Sequence, residues 1–452
     1  MPANRNSRRK IAFIGASHLF VHQSVRDFVL NGKMENTDLY LYDIAAGPLE
    51  VEYDLIRRMI KQGHSKITVQ KSPTRRAAIE GADYVVMSVL VGGLDAAEKD
   101  DKICQKYNIR HTVGDTIGPM CTARCLRQIP LILDVAKDMR KYCPKAPLLS
   151  PTNPMAAMTD AAIRYGGVDC IGICHGSHFI MDVIARAYGV KIEDVAINLV
   201  GVNHFAFVDE VRIKGVKKPL DKAIKQVTAE ALKGYADPAG HIDKAEYAIQ
   251  YASRIGFLPN NGDHHFIEFF PWFLAPHSFK NGKSRYGLEK ILLSVPDRRK
   301  RKVDLKKLLL DWTNRPQPIP DMDKYSSEHI HDIIFGLEGR NRDQVISNLH
   351  LNVLNGNSVP NLPKDALLEL TVDISPKGVK PVKNPPLDTY RWATLAPLIG
   401  VNTLAVEAAV HQDKKAFIQA LHLDPLTRDF DTIPAMAEEL WNASKPYFKP
   451  KK

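Results

Sequence analysis

Paired cysteine motifs are absent from this 452-residue chain, which carries six cysteines and no C-x-x-C spacing. A disulfide scaffold is not expected in a chain of this size, so we interpret the cysteines as reduced thiols. All of them lie in the first half of the sequence: Cys104, Cys121, Cys125, Cys143, Cys170 and Cys174.

Long apolar runs are also missing. We find no stretch of 18 apolar residues, so the sequence predicts no membrane span. The basic residues 1–10 precede an apolar segment, IAFIGAS, that is too short for a secretory signal. Internal repeats and low-complexity linkers are not evident either. We therefore expect a cytoplasmic globular protein that does not act on a membrane.

Acidic residues are fewer than basic ones, and the net charge is +11. Such an excess is compatible with nucleic acid or with an anionic substrate. Much of it lies in local runs, namely 8–10, 298–302 (RRKRK) and the lysines from residue 445 onward, which we interpret as solvated loops. No aromatic-rich basic motif of a nucleic-acid-binding module accompanies these runs. We therefore expect no nucleic-acid partner.

The composition is that of a soluble globular protein, with 44% hydrophobic and 25% charged residues. A chain of 452 residues exceeds the usual size of one hydrophobic core. The sequence therefore predicts two domains.

Short apolar strands alternate with helical segments in the first half of the chain. The segment KIAFI leads into Gly15, Ala16 and Ser17, and residues 19–30 then have helical spacing. A strand, a glycine turn and a helix in this order direct backbone amides at a pyrophosphate. The next predicted strand leads to Asp43, at the position where an acidic residue would bind ribose hydroxyls. We interpret this segment as a dinucleotide-binding turn.

The alternation continues through DYVVMSV, which contains Ser88, and through two further strands at 148–150 and 170–174. Strands that alternate with helices predict a parallel sheet, and such sheets bind ligands beyond the carboxyl ends of their strands. Ser88, Asn153 and Cys174 all lie at or near such ends. The polar loop 113–118 precedes a long helix and could also reach a ligand.

Two apolar segments end abruptly in polar pairs, Cys174-His175 and Asn203-His204. Thiolates and imidazoles bind divalent transition metals, and a site with two or three protein ligands leaves positions open for a substrate. Cys170 would lie roughly 13 Å from Cys174 along an extended strand, so only one of the two can be a ligand. The sequence therefore predicts a metal site of the catalytic kind.

A dense group of ionisable residues follows in GDHHFIEFF, where Asp263, His264, His265 and Glu268 lie within six positions. The group is a source of acid–base chemistry, and a structural hydrogen-bond network is an equally good interpretation. Farther on, we interpret residues 284–345 as exposed loops around short helices, Asn355-Gly356 as a turn between two strands, and residues 395–420 as a closing pair of helices.

An ordered set of motifs runs from about residue 10 to about residue 426: KIAFIGAS, Asp43, GDTIGP, LRQIP, PTNPMAAMT, GICHG, GVNHF, GDHHFIEFF, NVLNGNSVPNLPKDALLEL, VEAAV and DPL. Each motif alone is weak, but the set together resembles glycoside hydrolase family 4. The resemblance covers almost the whole chain. It implies an α/β fold with a Rossmann-type parallel sheet, of the lactate and malate dehydrogenase kind, in residues 1–198. An α+β domain for substrate, metal and oligomerisation would follow in residues 199–452.

The resemblance also implies an unusual chemistry. In this family, bound NAD oxidises the sugar 3-hydroxyl, and a base then removes the acidified proton from C2. The aglycone leaves by elimination, water adds, and the hydride returns to C3. A divalent metal, typically manganese, holds the C2 and C3 oxygens as a Lewis acid. Members usually form homodimers or homotetramers, which we therefore expect here.

By the same resemblance, Cys174 and His204 are metal ligands, and Asn153 contacts the sugar, with Asn203 and His264 as further substrate contacts. His175 follows the metal cysteine. The branch that acts on phosphorylated sugars usually has Asn or Asp there, so a Cys-His pair is more like the α-galactosidase and α-uronidase branch. His175 is then a candidate acid for the leaving group.

The remaining assignments concern the cofactor and the base. Gly15, Ala16, Ser17, Asp43 and Ser88 are the expected NAD contacts. The base or proton relay comes from the region of Asp263 and His265, with Tyr247 and Tyr251 as nearby alternatives. Many members have paired glycines where this chain has Met120-Cys121, which adds bulk close to the ligand.

Our hypothesis is an NAD- and manganese-dependent glycosidase for a non-phosphorylated α-galactoside, α-galacturonide or α-glucuronide. A dehydrogenase of a sugar or a 2-hydroxy acid is the first alternative, because the same scaffold supports simple oxidation. A non-catalytic sugar- or nucleotide-binding protein is the second. Net reduction of NAD without glycoside cleavage would favour the dehydrogenase. Ligand binding without either reaction would favour the non-catalytic binding protein.

Overall fold

The structure is a computed structural model that describes residues 8–17, 19–231, 246–326, 328–339 and 346–448. Two sequence predictions fall partly outside these ranges. They are the basic tail, beyond residue 448, and the middle of the helical region predicted for residues 220–251. The ends of that region are helical, as predicted.

The N-terminal half is an alternating series of strands and helices, as the hydrophobic pattern predicts. Its elements are β1 (Arg9–Ile14), α1 (Leu19–Asn31), β2 (Thr37–Tyr42), α2 (Ala46–Gln62), β3 (Thr68–Lys71), α3 (Arg75–Ile79), β4 (Tyr84–Met87), α4 (Gly93–Lys106), α5 (Pro119–Tyr142), β5 (Leu148–Ser150), α6 (Met155–Arg164), β6 (Cys170–Ile173) and α7 (Gly176–Tyr188).

These six strands form a parallel sheet in the order β3-β2-β1-β4-β5-β6. The chain order reverses between β1 and β4, and ligands of doubly wound folds bind at such a switch point. Strand β4 is buried along its whole length, which explains its continuous apolar sequence, YVVM. The predicted α/β fold class is confirmed.

The C-terminal half mixes antiparallel strands with helices. Its elements are β7 (Val195–Val202), β8 (Phe205–Ile213), β9 (Val216–Lys218), α8 (Leu220–Ala231), α9 (Glu246–Ile255), β10 (Leu258–Pro259), α10 (Asp263–Phe266), α11 (Pro271–Leu274), β11 (Phe279–Lys280), β12 (Lys283–Ser284), α12 (Val295–Asn314), α13 (Ile330–Glu338), β13 (Ile346–Leu354), β14 (Leu367–Ser375), β15 (Gly378–Pro381), α14 (Thr389–His411), α15 (Lys414–Leu423) and α16 (Ile433–Ser444).

The late strands continue the early sheet. β13 pairs antiparallel with β6, and β14, β7, β8 and β10 follow in that order. His204 therefore comes from the β7–β8 turn and not from the carboxyl end of a parallel strand. The predicted boundary between the two domains, after residue 198, lies inside β7. The division into two domains stays a prediction.

One sequence interpretation is wrong. Residues 295–314 form the 20-residue helix α12, although we expected exposed loops and short helices there. Its amphipathic pattern is weak, because basic residues interrupt the apolar ones along most of its length. The helix packs against α2 and α4.

Helix α14 is long and largely apolar, although Thr, Asn and Glu interrupt it. Among the described residues, α14 alone is long and apolar enough to cross a membrane by length and composition, with a mean hydropathy of 1.5 over 18 residues. It packs against α5, α6 and α15, and 39% of the 18-residue window is buried inside the protein. The pair of helices predicted for residues 395–420 is present as α14 and α15.

Candidate metal and dinucleotide site

The turn after β1 has the geometry of a dinucleotide cradle. Gly15 has a φ of +82°, and a Cβ there would lie 2.0 Å from the carbonyl oxygen of Ser88. Only glycine therefore fits. The Ser17 backbone N–H and hydroxyl both donate to Asp43, at 3.1 and 2.6 Å. Gly15, Ser17, Asp43 and Ser88 thus meet at the carboxyl ends of β1, β2 and β4, and Ala16 is buried beneath the turn.

Gln128 and Thr152 join the loops that follow β4 and β5, and the Thr152 hydroxyl accepts from the Val89 backbone N–H at 3.3 Å. Gln128 of α5 accepts from the Val91 backbone N–H at 2.8 Å and donates to the carbonyl oxygens of Val89 and Asn153, at 3.0 and 3.1 Å. The side chain is fully buried. It therefore fixes the distance between the cradle side and the Asn153 side of the cleft.

Three side chains on different elements converge beside this edge. Ligand atoms of Asp115, His204 and His265 all lie within 4.8 Å of one another, and no other group of three or more His, Cys, Asp or Glu side chains does so among the described residues. The rings of His204 and His265 have centroids 3.9 Å apart. Carboxylate and imidazole donors suit a divalent first-row metal, so these residues fit the expected ion.

Thr116 determines which nitrogen of His204 can bind a metal. Its hydroxyl donates to Asp115 Oδ1 at 3.0 Å and lies 2.6 Å from His204 Nδ1. Because the hydroxyl proton is used on Asp115, the contact with His204 requires Nδ1–H to donate to Thr116. The Nε2 lone pair of His204 is then available as a metal ligand.

A buried carboxylate holds the turn that carries His204. Glu369 accepts from the His204 backbone N–H at 3.0 Å and from the side-chain amides of Asn203 and Asn260, each at 3.1 Å. His204 has a φ of +65°, an uncommon conformation that these contacts stabilise. Burial raises the pKa of Glu369 to about 7, although the three donors oppose the shift. Asn203 therefore supports the turn through its amide nitrogen, and its predicted contact with the substrate stays a prediction.

The polar atoms of Asn153 face the convergent group. Its Nδ2 donates to Asp115 Oδ2 at 2.7 Å, while its Oδ1 is buried without a hydrogen-bond partner among the described residues. A buried acceptor without a donor is costly, so a ligand hydroxyl is a natural partner for this oxygen.

Cys174 lies at the end of β6, as predicted, but outside the group of three. Its Sγ accepts from the Gly176 backbone N–H at 3.3 Å and neighbours Asn203 and Glu369. Burial raises the pKa of this thiol well above its ordinary value. His175 is largely exposed, and its Nδ1 lies 3.6 Å from a carboxylate oxygen of Glu328. The metal role of Cys174 and the acid role of His175 stay predictions.

The other ionisable residues of GDHHFIEFF have structural contacts. Asp263 accepts from the backbone N–H groups of Tyr247 and Ala248 at the start of α9, at distances of 2.8 to 3.1 Å. His264 Nε2 contacts the carbonyl oxygen of Thr112 at 3.0 Å. Asp263 thus sits at the N-terminus of a helix, where a carboxylate is stabilising. Its role as a base stays a prediction.

The alternative tyrosines also have partners. The Tyr247 hydroxyl donates to the carbonyl oxygen of Tyr286, and the Tyr251 hydroxyl accepts from Tyr390 at 3.0 Å. Burial raises the pKa of Tyr251 above its ordinary value and that of Tyr247 to about 12. Both phenols are therefore weak candidates for a base in this conformation.

The loop before α5 is fixed by a second buried carboxylate. Glu268 accepts from three consecutive backbone N–H groups, those of Thr112, Val113 and Gly114, at 2.7, 2.9 and 3.0 Å. This explains its position in the polar cluster and places Asp115 directly after a rigid segment. Met120 and Cys121, which replace the expected glycines, are buried in the first turn of α5.

Sequence reasoning missed several functional candidates. Asp115 was predicted only as part of the polar loop 113–118 that could reach a ligand, without a role of its own, and Glu369 only as part of a motif. Arg124 and Arg298 were missed altogether. Burial would raise the pKa of Asp115, but His204, His265 and these arginines outweigh it and keep that pKa below its usual range. The GDT motif was the available signal for Asp115. The buried position of Arg298 was hidden in a run of basic residues.

Burial and neighbouring charges keep both histidines of the group neutral near pH 7. Burial lowers the pKa of His204 to about 4, although Asp115 opposes the shift. Burial and the neighbouring His204 lower the pKa of His265 well below its ordinary value. Neutral imidazoles are the forms that bind metals and accept protons.

The chain is similar to known proteins along its whole length. An alpha-galactosidase of Bacillus subtilis (strain 168) is 28% identical over 442 residues, covering 96% of this chain and 98% of the relative. An alpha-galacturonidase of the same strain is 25% identical over 463 residues, covering 96% of each.

Solved structures confirm the fold. LplD from Bacillus subtilis has a TM-score of 0.84 at 22% identity and covers 96% of this chain and 100% of its own. The 6-phospho-beta-glucosidase of Thermotoga maritima, solved with manganese, NAD+ and glucose-6-phosphate, has a TM-score of 0.79 at 21% identity, covering 98% and 100%. Malate dehydrogenase of Cryptosporidium parvum has a TM-score of 0.50 at 14% identity, covering 89% and 99%.

The family assignment covers both halves of the molecule. Residues 10–190 match family 4 glycosyl hydrolase, and residues 199–427 match the family 4 glycosyl hydrolase C-terminal domain. The first range carries the dinucleotide cradle and Asp115, and the second carries His204 and His265. Since the site needs residues from both ranges, and both match the same family, the chain belongs to the family 4 glycosyl hydrolases.

Proposed function

We propose that the protein hydrolyses α-glycosides of galactose, galacturonic acid or glucuronic acid, with NAD and a divalent metal, manganese being expected. The observation that carries this proposal is the convergence of Asp115, His204 and His265 beside Asn153, at the edge of a dinucleotide-type sheet. The relatives named alpha-galactosidase and alpha-galacturonidase support the choice of sugars.

Bound NAD would supply a hydride acceptor for C3 of the sugar, and the bound metal a Lewis acid for its C2 and C3 oxygens. His204 would bind the metal through Nε2. Asp115 and the predicted ligand Cys174 would be the other protein ligands of the metal. The Gly15 turn and Asp43 would hold the dinucleotide, with Ser88 beside them.

The remaining residues of the site would bind sugar and move protons. Asn153 Oδ1 would accept a hydrogen bond from a sugar hydroxyl, because it is buried without a donor among the described residues. His265 is neutral near pH 7 and faces the same point as His204, so it would accept the C2 proton. His175 is largely exposed and would donate a proton to the leaving oxygen.

The test is release of nitrophenol from a panel of nitrophenyl glycosides, with and without NAD and manganese. We expect cleavage of α-galactosides or α-uronides that needs both additions. His204→Ala should lower kcat/KM at least 100-fold and abolish manganese binding, because it removes the ligand that Thr116 and Glu369 position. The buried histidine His350, which contacts Ile197 in the sheet, offers a matched control as His350→Gln.

A second pair of variants tests the cysteine. Cys174→Ser should lose both metal binding and activity, whereas Cys170→Ser, at the other end of β6, should keep both. Equal activity of the two variants would refute the metal role of Cys174. If no glycoside is cleaved and substrate instead reduces added NAD, the protein is a dehydrogenase on the same scaffold.

We also propose a homodimer or homotetramer in the cytoplasm. The six free cysteines support a reducing compartment. Trp392 of α14, Leu423 of α15 and Phe430 are large apolar side chains left exposed in the C-terminal helical region, which supports burial against a second copy. Light scattering after gel filtration distinguishes the monomer from either oligomer.

A further inference from the structure

Two arginines lie inside the cleft without a carboxylate partner. Arg298 lies on α12 and donates to the carbonyl oxygen of Val113 at 3.0 Å, two residues before Asp115. Arg124 lies on α5, and its Nε is buried without a hydrogen-bond partner. Among the described residues, neither guanidinium has a carboxylate oxygen within 4.0 Å, whereas Arg127 and Arg299, close by in sequence, both do.

The neighbouring acids are already engaged. Asp115 binds Asn153 and Thr116. Glu268 uses an oxygen on three backbone amides, and Asp101 accepts from Gln105 at 2.8 Å. These acids act on Arg298 only across a distance. The guanidinium groups therefore keep most of their donors for a ligand.

Two guanidinium groups, those of Arg124 and Arg298, act on the ionised carboxylate of Asp115. Glu268 and Asp101 also lie near Arg298, but burial raises the pKa of each and so disfavours their charged forms. The exposed Arg301 follows on the same face of α12, one turn after Arg298, and adds a further positive charge near His264. Buried charges are normally paired, and arginine is the side chain best suited to a carboxylate because its donors form a planar fork.

We infer that Arg124 and Arg298 form an anion subsite that takes the C6 carboxylate of a uronic acid, so that the protein prefers α-uronides over neutral α-galactosides. This inference rests on the proposed sugar site. It assigns Arg298 a specificity role that its basic sequence context did not suggest.

Galacturonate and galactose are the matched probes, because they differ only in a carboxylate or a hydroxymethyl group at C5. Calorimetry on the protein with NAD and manganese should find galacturonate bound at least tenfold more tightly than galactose. Arg298→Gln and Arg124→Gln should each remove most of this preference while leaving galactose affinity within about twofold. Nitrophenyl α-galacturonide and α-galactoside should follow the same order in kcat/KM.

The control is Arg299→Gln. Arg299 directly follows Arg298 on α12 but faces outward, where it pairs with Asp95 and Glu98 at 2.6 and 2.7 Å. The Arg299→Gln variant should keep the full preference for galacturonate over galactose. Arg298→Lys keeps the charge without the fork, so it should retain part of the preference and reveal whether loss in the glutamine variant reflects misfolding.

The outcomes separate this inference from the proposed function. If galactoside is cleaved but galacturonate binds no better than galactose, the anion subsite is refuted and the glycosidase stands. If no glycoside is cleaved but galacturonate binds selectively through Arg124 and Arg298, the subsite stands and the glycosidase is refuted. Equal loss of affinity for both sugars in Arg298→Gln would also refute the subsite.

Discussion

The hydroxyl of Thr116 is the atom that connects Asp115 to His204. It donates to the carboxylate and accepts from the imidazole, so it fixes both the rotation of the ring and its tautomer. Hydrogen bonds that orient a metal ligand are important for metal affinity, and their removal typically lowers it about 10- to 100-fold.

Thr116→Val removes these two hydrogen bonds with little change of volume. We expect the affinity for Mn2+ to fall about 10- to 100-fold, because the Nδ1–H of His204 loses its acceptor and the ring is no longer held with Nε2 toward the metal. Calorimetric titration with Mn2+ measures the change.

Thr403→Val serves as the control for this substitution. Thr403 donates to the carbonyl oxygen of Ile399 within α14, away from the site. Its replacement should leave Mn2+ affinity unchanged. Equal affinities of Thr116→Val and the wild type would show that His204 is oriented by other contacts.

Single residues differed in how well the sequence predicted them. His204 and Asn153 were predicted as site residues because their motifs matched a family pattern, and the structure brings both beside Asp115. Arg298 was not, because a basic residue within RRKRK has no local mark that distinguishes an inward side chain from an outward one. Asp115 was predicted only as one residue of the loop 113–118 that could reach a ligand, since its partners are distant in sequence.

At the scale of elements, α5 organises the cleft through Gln128. Its amide spans the loops after β4 and β5, one on the cofactor side and one on the sugar side. Both loops are irregular, so few backbone hydrogen bonds hold them to each other.

Gln128→Met keeps the length of the side chain and removes its hydrogen bonds. Three bonds are lost at about 1 kcal/mol each, so we expect destabilisation of about 3 kcal/mol and at least a tenfold loss of NAD affinity. Urea unfolding and fluorescence titration with NAD measure the two effects.

Gln226→Met is the matched control on an outer helix. Gln226 makes one exposed bond, to the carbonyl oxygen of Ala187, so both unfolding and NAD affinity should stay close to wild type. Unchanged NAD affinity in Gln128→Met would mean that the two loops are positioned independently of α5.

Elements were predicted well where the signal is local. Strands β1 to β6 and helices α1, α2, α3, α5 and α7 follow from apolar periodicity and glycine turns, whereas α4 and α6 were not predicted. The insertion of β13 and β14 between β6 and β7 could not be predicted in this way, because pairing order depends on contacts between residues more than 100 positions apart. Helix α12 was missed because its charges obscure the apolar period.

At the scale of the whole molecule, buried carboxylates from the C-terminal half hold the loops of the site. Glu268 binds residues 112–114, Glu369 binds the turn of His204, and Asp424 accepts from the backbone N–H of Gly118 at 2.8 Å. Burial raises the pKa of each to about 7. Glu268 and Asp424 thus join the two halves through groups whose charge changes close to neutral pH, and Glu369 does the same within the C-terminal half.

The sign of the pH effect follows from these shifts. A carboxyl whose pKa is raised in the folded state binds protons more tightly there, so its stabilisation is complete below the unfolded pKa and is lost as the pH rises through about 7. Buried histidines act in the opposite direction at acid pH. Burial lowers the pKa of His111 to about 3 and that of His350 to about 4, so their stabilisation is lost as the pH falls below about 6.5.

Asp424→Asn isolates one of these carboxyls, since asparagine resembles the protonated acid and does not titrate. Between pH 5 and pH 7, the wild type should lose stability relative to the variant by about 1.4 kcal/mol per pH unit, and the difference should level off above pH 7. Urea unfolding at pH 5, 6, 7 and 8 measures it. The exposed Asp431 provides the control as Asp431→Asn, whose difference from wild type should not vary with pH. Parallel pH profiles for Asp424→Asn and the wild type would mean that Asp424 is ionised in the fold, and that its contacts with Gly118 and Leu426 outweigh its burial.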